Sequence, residues 1–405
     1  MKTNWQTKKL GEVCDFYNGL WRGKNPPYIK VGVIRNTNFT REGNLDDSDI
    51  AYLEVEKKQF ENRKLIYGDI ILEKSGGGPK QPVGRVVIFN KKDGDFSFSN
   101  FTSAIRIKNS RELYFNFLHR FLFFSYISGI TEKMQSHSTG IRNLDSKLYK
   151  SIEISLPPLP EQHRIVKILD EVFEGIEKAK KNAEKNLKNS KEIFKSYSQN
   201  IFENSGKNWE DKKLGEILEI ERGGSPRPIQ KYLTSEADGI NWIKIGDTKN
   251  VDKYIFKTNQ KIKPEGLKKS RIVNIGDFIL SNSMSFGRPY IMKISGAIHD
   301  GWLVLREKNK NIIDKDYLYN ILGSPYVFNQ FDKLAAGSTV RNLNISLVSI
   351  VRIPLPQITE QKSIVAKLDA LSAETKKLEA IYQQKLADLE ELKKSVLKKA
   401  FAGEV

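Results

Sequence analysis

The sequence predicts an α+β protein: two mixed α/β domains related by a pseudo-twofold axis and separated by two long antiparallel coiled-coil helices. Three observations predict it. The chain is written twice in the same order. Each copy ends in a long proline-free stretch with a narrow apolar seam. The rest of each copy consists of short apolar or β-branched runs between turn residues.

The duplication comes first. WQTKKLGEV from Trp5 is answered by WEDKKLGEI from Trp209, an offset of 204. YIKVGVIRN from Tyr28 is matched with WIKIGDTKN from Trp242, and GDIIL from Gly68 with GDFIL from Gly276. STGIRNLD from Ser138 is matched with STVRNLN from Ser338, and ISLPPLPEQ from Ile154 with IPLPQITEQ from Ile353. The offset stays between 199 and 214, and the order never changes. A period near 200 residues marks two copies of a globular module, not a solenoid. Duplication in a basic protein suits two sites on a repetitive ligand.

Within the copies, residues 68–72, 84–90, 104–108 and 272–280 read as strands, being apolar or β-branched between Gly, Pro, Asn and Asp. A helix is expected over 113–127, with a counterpart over 316–334. Prolines at 157–160 and 354–356 are expected to close each half, since proline neither continues a strand nor sits inside a helix.

From Glu161 to Phe202 there is no proline, and Ile165, Leu169, Val172, Ile176, Ala179, Ala183, Leu187, Ser190, Phe194, Tyr197 and Ile201 recur at threes and fours. The last copy repeats this with Ile364, Leu368, Leu371, Leu378, Tyr382, Leu386, Leu389, Leu392 and Val396. Lys and Glu fill most other positions, which is the pattern of a coiled-coil strand. At ~1.5 Å per residue each helix is ~60 Å long. If the two pair antiparallel, the closing AFAGEV lies near Trp5, just as IFENSGKNW joins the first helix to Trp209. The domain boundaries read from this are 1–160, a spacer helix over 161–203, 204–358, and a second spacer helix over 359–405.

Composition narrows the function. Lys and Arg total 67 against 49 Asp and Glu, a formal charge of +18. A surplus of that size calls for a polyanion, and nucleic acid is the first candidate. The single cysteine, Cys14, excludes disulfides, zinc ribbons and iron–sulfur clusters by counting, and the four histidines lack metal-ligand spacing. The N-terminus has no apolar signal-peptide core, and the most apolar run, 114–130, is too short and too polar to span a bilayer. The expected setting is cytoplasmic, with no membrane partner.

LPPLPEQHRIVKILD and LPQITEQKSIVAKLD, the two Trp-x-x-Lys-x-Leu-Gly-Glu openings and the AFAGEV ending together resemble the specificity subunit of type I restriction–modification systems, over essentially the full length. The resemblance implies two target-recognition domains, each reading one half of an asymmetric bipartite site on double-stranded DNA, with the helices setting the gap. It implies a chain that is non-catalytic alone and carries no cofactor or metal. Two modification subunits using S-adenosylmethionine would dock on the helices and methylate adenine. Restriction subunits using ATP and magnesium would complete the nuclease.

Base reading needs bidentate donors and acceptors on loops or helix ends, and backbone anchoring needs cations, hydroxyls and amides. The candidate DNA contacts in the first half are Arg22, Lys24, Arg35, Asn36, Lys74, Ser75, Lys80, Arg85 and Arg142. In the second half they are Arg222, Arg227, Lys244, Lys249, Asn282, Ser283, Arg288, His299 and Arg341. For each, a solvated surface charge is the plain alternative. For the matched arginines of RNL, anchoring a loop at the helix base is another. Lys178, Lys180, Lys181 and Lys185 suit either DNA phosphates or ordinary coiled-coil surface.

Three motifs suggest chemistry that their context does not support. Residues 25–28 read NPPY, the tetrapeptide that holds a flipped adenine in amino-methyltransferases, but no Gly-rich cofactor loop accompanies it. KSGGGPK over 74–80 lacks the hydroxyl residue and helix start of a phosphate loop, and reads as a flexible, DNA-approaching loop. Asp69, Glu73 and Lys74 have the wrong spacing for a nuclease, and the other half has Asp277, Ser281 and Asn282 there.

Overall fold

The computed structural model describes residues 5–20, 23–78, 81–136, 141–204, 206, 208–283, 286–309, 311–336 and 342–405. It divides into two compact units. One holds Met1–Ala183 with Gln384–Val405, and the other holds Glu184–Gln383.

In the first unit, the main antiparallel sheet has the order Cys14–Asn18, Thr102–Ile107, Ile70–Glu73, Val86–Ile88. Of its two inner strands, Ile70–Glu73 alternates between two cores. Ile70 and Leu72 face a cluster with Leu118, Leu122 and Ile165, while Ile71 faces a second cluster with Ile34, Phe89 and Phe98. Period-2 alternation with both faces apolar is what a strand buried on both sides requires. The first cluster is covered by the helix Phe115–Ile127. The second lies toward a smaller sheet in which Tyr28–Ile34 pairs antiparallel with Ala51–Glu56 and parallel with Phe96–Phe98.

The second unit repeats this plan. Leu218–Arg222, Trp302–Glu307, Phe278–Ser281 and Pro289–Met292 form the main sheet, extended by Tyr254–Ile255. Phe278 and Leu280 face one cluster and Ile279 the other. Ile240–Ile243 pairs parallel with Gly296–Ile298. The expected strand over 272–280 is two strands, Arg271–Val273 and Phe278–Ser281, broken at Gly276, whose φ is +91°. The single helix expected over 316–334 is likewise two, Lys315–Leu322 and Pro325–Ala335. Pro325 cannot donate to the preceding turn, and the Ser324 hydroxyl caps the new start by accepting from Val327 N at 3.3 Å.

Both halves close on themselves in the same way. Gln6–Lys9 pairs with Glu153–Leu156, and Glu210–Lys213 with Arg352–Leu355. Pro354 therefore lies within a strand, and Pro160 within the first helical turn, contrary to expectation. A two-stranded edge and a helix N-terminus are the places where a missing N–H costs nothing.

The two long helices, Leu159–Glu203 and Ile358–Ala402, have 45 residues each. In the first unit, Leu397 and Ala400 are buried against Ile165, Leu169 and Phe173, and Phe401 is wedged among Phe117, Phe121 and Phe124. Arg164 donates to the Val405 carbonyl at 2.5 Å, and Lys180 pairs with Glu390 at 3.1 Å. As one helix ascends the other descends, so they run antiparallel. Trp5 and Val405 join the same cluster, as the reading of AFAGEV required. In the second unit, Phe202 packs against Tyr317 at 5.8 Å, in a cluster with Ile364, Val365 and Leu368. The seam departs from its predicted track in places. Tyr197, Leu378 and Leu392 are exposed, and Ser198, Thr375 and Lys393 are buried instead. A straight helix drifts relative to a 3.5-residue repeat, and the Lys393 ammonium sits over the rings of Phe123 and Phe173, 5.0 Å from each.

Candidate nucleic-acid interface

Each half has a cleft at the same place in the module. In the first, the parallel register sets Val33 beside Ser97 and Ile34 beside Phe98; in the second it sets Trp242 beside Ala297 and Ile243 beside Ile298. The residue after each first strand caps a short helical turn. Arg35 N donates to Asn38 Oδ1 at 2.9 Å, and Lys244 N to Asp247 Oδ2 at 2.8 Å. Arg35 is thus equivalent to Lys244, an offset of 209, and not to Lys249 as the match of YIKVGVIRN with WIKIGDTKN implied. Ser99 is equivalent to His299 and Asn100 to Asp300.

Beside each cleft, glycine permits a close approach of two loops. A Cβ on Gly19 would lie 1.8 Å from the Ser99 carbonyl oxygen, and one on Gly223 would lie 2.2 Å from that of His299. Only glycine lets the loop leaving the first sheet strand approach the opposite loop so closely.

The two clefts share position but not chemistry. The first, about 410 Å³, is walled by Leu20, Val33, Arg35, Tyr52, Glu54, Ser99 and Asn100. Arg35 Nη2 donates to Asp49 at 3.2 Å (its carbonyl), while Arg35 Nε and Ser99 Oγ are buried and make no hydrogen bond among the described residues. The second, about 620 Å³, is walled by Ser225, Pro226, Arg227, Trp242, Lys244, His299 and Asp300. There the imidazole of His299 lies near Trp242 and Trp302, at 6.2 and 6.4 Å. It accepts from Ile245 N at 3.1 Å, and burial pushes its pKa down. Asp300 is a hub. Its Oδ1 accepts from Ser225 Oγ at 2.6 Å, its carbonyl from Asn282 Nδ2 at 2.8 Å and Arg222 Nε at 3.3 Å, and its Oδ2 lies 3.5 Å from Arg227 Nη2.

Of the expected contacts, Arg35, Arg227, Lys244 and His299 thus line clefts, with Arg222 beside one. Others are held by the protein. Arg85 grips the buried carboxylate of Glu73 with two hydrogen bonds of 2.7 and 2.9 Å. Two more of its N–H groups go to the carbonyls of Phe39 and Asn36, both at 3.0 Å. Asn36 also donates to Glu73, Lys74 to Asn18, Ser75 to Asn143, and Arg142 to Glu132. Asn282 is buried behind Asp300, with half-buried Ser283 next to it. These residues shape loops. Arg288, the match of Arg85, is different because Ser281 stands where Glu73 does. The Ser281 hydroxyl accepts from Arg288 N at 2.9 Å, and the guanidinium turns outward to the Val251 carbonyl at 3.0 Å. Lys24 and Lys249 are exposed. Arg22, Lys80 and Arg341 lie outside the described residues. On the helix, Lys178 pairs with Glu174 at 2.6 Å and Lys180 with Glu390.

Sequence reasoning missed Ser99, Asn100, Tyr52, Trp242 and Asp300. For Trp242 the signal was the offset of 209, hidden by the more conspicuous match at 214. It also missed Gln162 and Gln361, the last residues of the repeated PEQ and TEQ. Gln162 accepts from Tyr114 N at 2.8 Å and donates to the carbonyls of Glu112 and Pro157. Gln361 does the same with Asp314 N at 2.7 Å and the carbonyls of Ile312 and Pro356.

The motifs suggestive of enzymes resolve structurally. Asn25 N donates to Glu56, and Tyr28 of NPPY opens an antiparallel pairing opposite Glu56. KSGGGPK is no free loop in its described part, since Ser75–Gly77 is a strand paired with Arg142–Leu144. Asp69 is bound by Arg106 at 2.7 Å, and Asp277 by Arg306 at 2.8 Å, so both carboxylates serve the fold. Among the described residues, no group of three or more His, Cys, Asp or Glu is placed to hold a metal, and no helix is long and apolar enough to cross a membrane.

The sequence pattern of the type I restriction modification DNA specificity domain matches residues 2–186 and again residues 206–388. The chain belongs to this family. It is 27% identical to the type I restriction enzyme MjaVIII specificity subunit of Methanocaldococcus jannaschii over 293 residues, 67% of each chain. It is 24% identical to the StySPI specificity subunit of Salmonella potsdam, covering 99% of this chain and 89% of that one. Among solved structures, one from work on assembly and conformational transition of the type I R-M system superposes with a TM-score of 0.79 at 22% identity, covering 99% of this chain and 98% of that one. The HsdS subunit from Thermoanaerobacter tengcongensis gives 0.61 at 20% identity, covering 99% and 97%. Both share the fold of this specificity-domain chain.

Proposed function

We propose that this chain is the specificity subunit of a type I restriction–modification complex, reading an asymmetric bipartite DNA sequence with one half-site to each cleft. The observation that carries this reading is the pair of clefts at equivalent positions with different walls. A duplicated module that kept one ligand would keep one lining. Here Ser99 and Asn100 are exchanged for His299 and Asp300, and Val33 for Trp242, so the same groove meets two different base sequences. The net charge of +18 suits the phosphate contacts that position such a module without specifying sequence.

In this reading the chain supplies recognition and its partners supply chemistry, in the cytoplasm and in host defence. Two modification subunits, using S-adenosylmethionine, dock on the long helices and methylate adenine within the site. Restriction subunits, using ATP and magnesium, add translocation and cleavage. Exposed Ile193, Tyr197, Leu378, Ile381 and Leu392 on those helices are the apolar contacts such docking needs. The helices set the gap between half-sites.

Long-read methylation mapping of cellular DNA, with and without this chain beside its modification partner, tests the proposal. A split, asymmetric, adenine-methylated sequence should appear only when the chain is present. The same methylation in its absence would refute it.

A further inference from the structure

Arg227 stands at the lip of the second cleft with its side chain 80% exposed. Its surroundings are unusual for a surface cation. The carboxylate that faces it, Asp300, is fixed by other groups: Ser225 holds one oxygen, and Asn282 and Arg222 hold the main chain. The remaining oxygen is directed to Arg227 at 3.5 Å. A carboxylate so placed gives the guanidinium one fixed neighbour, and with the side chain this exposed most of its five N–H groups are open to solvent.

The pair distinguishes between two DNA ligands. A phosphate brought to Arg227 would also approach Asp300, and the repulsion would offset much of the attraction. A base edge carries no net charge, so its acceptors meet a far smaller repulsion than a phosphate does. Guanine presents two acceptors, O6 and N7, side by side in the major groove, which matches the fork of an arginine. Lys244, across the cleft, is a point charge without that fork. We propose that Arg227, steadied by Asp300, reads a guanine in the half-site of the second half. This rests on the DNA-reading function proposed above and adds to it the base and the residue.

The test uses the full chain in its methyltransferase complex, selecting from a library of DNA duplexes randomised over the site. Arg227→Ala should lower the preference for guanine about 5- to 150-fold at one position only, the range a bidentate base contact supplies. That position should lie in the half-site that changes when residues 204–358 are exchanged for those of a relative. The salt dependence of binding should stay unchanged, because no phosphate contact is lost. Asp300→Asn keeps an oxygen for Ser225 but removes the charge that steadies Arg227, and should relax the same position by a smaller factor. Uniform weakening across all sequences, or no change at any position, in Arg227→Ala would overturn the proposal. Unaltered discrimination in Asp300→Asn would overturn the part given to Asp300. If the wild-type complex itself shows no sequence preference, the DNA-reading function fails, and the proposal fails with it.

Discussion

The ion pair between Glu73 and Arg85 shows what a single residue decides in this fold. Glu73 is 1% exposed, and its charge is tolerable only because Arg85 meets both oxygens and Asn36 adds a third donor. Breaking a buried pair by neutralising one member typically costs about 3–5 kcal/mol. Glu73→Gln should therefore destabilise the first unit by about 3 kcal/mol in chemical denaturation and leave the preferences of both half-sites unchanged. Loss of base preference would show that Arg85 also reads DNA. His119 gives a pH handle. Burial pushes its pKa down to about 3, so the native imidazole stays neutral while the unfolded one takes up a proton below about 6.5. The unfolded state binds more protons between those values, so stability falls as pH falls, by about 2 kcal/mol from pH 7 to pH 5. His119→Asn should remove that increment from the pH dependence, whatever its effect at neutral pH. Neither residue's role was legible beforehand. An arginine in a loop and a histidine on an apolar helix look alike in sequence whether they meet a ligand or a neighbour, and only the partner carboxylate or the covering loop decides.

At the scale of elements, the decisive joints are where each long helix leaves its globular half. Gln162 and Gln361 each satisfy one N–H and two carbonyls that are otherwise buried beneath the helix start. Leaving such groups unpaired costs about 1–3 kcal/mol each. Gln361→Leu should lower stability by about 3 kcal/mol or more, with hydrogen exchange of the Asp314 amide accelerated and that of Tyr114 unchanged; Gln162→Leu should do the reverse. Equal acceleration at both amides would contradict independent joints. The existence of these helices was plain from forty residues without proline and a repeating seam. Their detail was not, because Lys393 is buried by its aromatic neighbours and not by its own hydrophobicity. The helix over 316–334 was expected, but its break at Gly323–Pro325 was missed because the apolar spacing runs through it. The strand register was misread because WIKIGDTKN imitates YIKVGVIRN five residues out of step, and only main-chain pairing shows which match is structural.

At the scale of the whole molecule, duplication and charge are legible in the sequence alone, and the repeated motifs within the duplication carry the family resemblance. The clefts were not visible. Their walls come from segments as far apart as Leu20 and Asn100, or Ser225 and Asp300, which the parallel pairing of a short sheet brings together. The central claim is that each half reads its own half-site. The most direct measurement is a methylation map of cells in which residues 204–358 of this chain are replaced by the matching segment of a relative with a different target. One half of the methylated sequence should change to that of the relative while the other half stays as it was. A change in both halves, or in neither, would contradict the account.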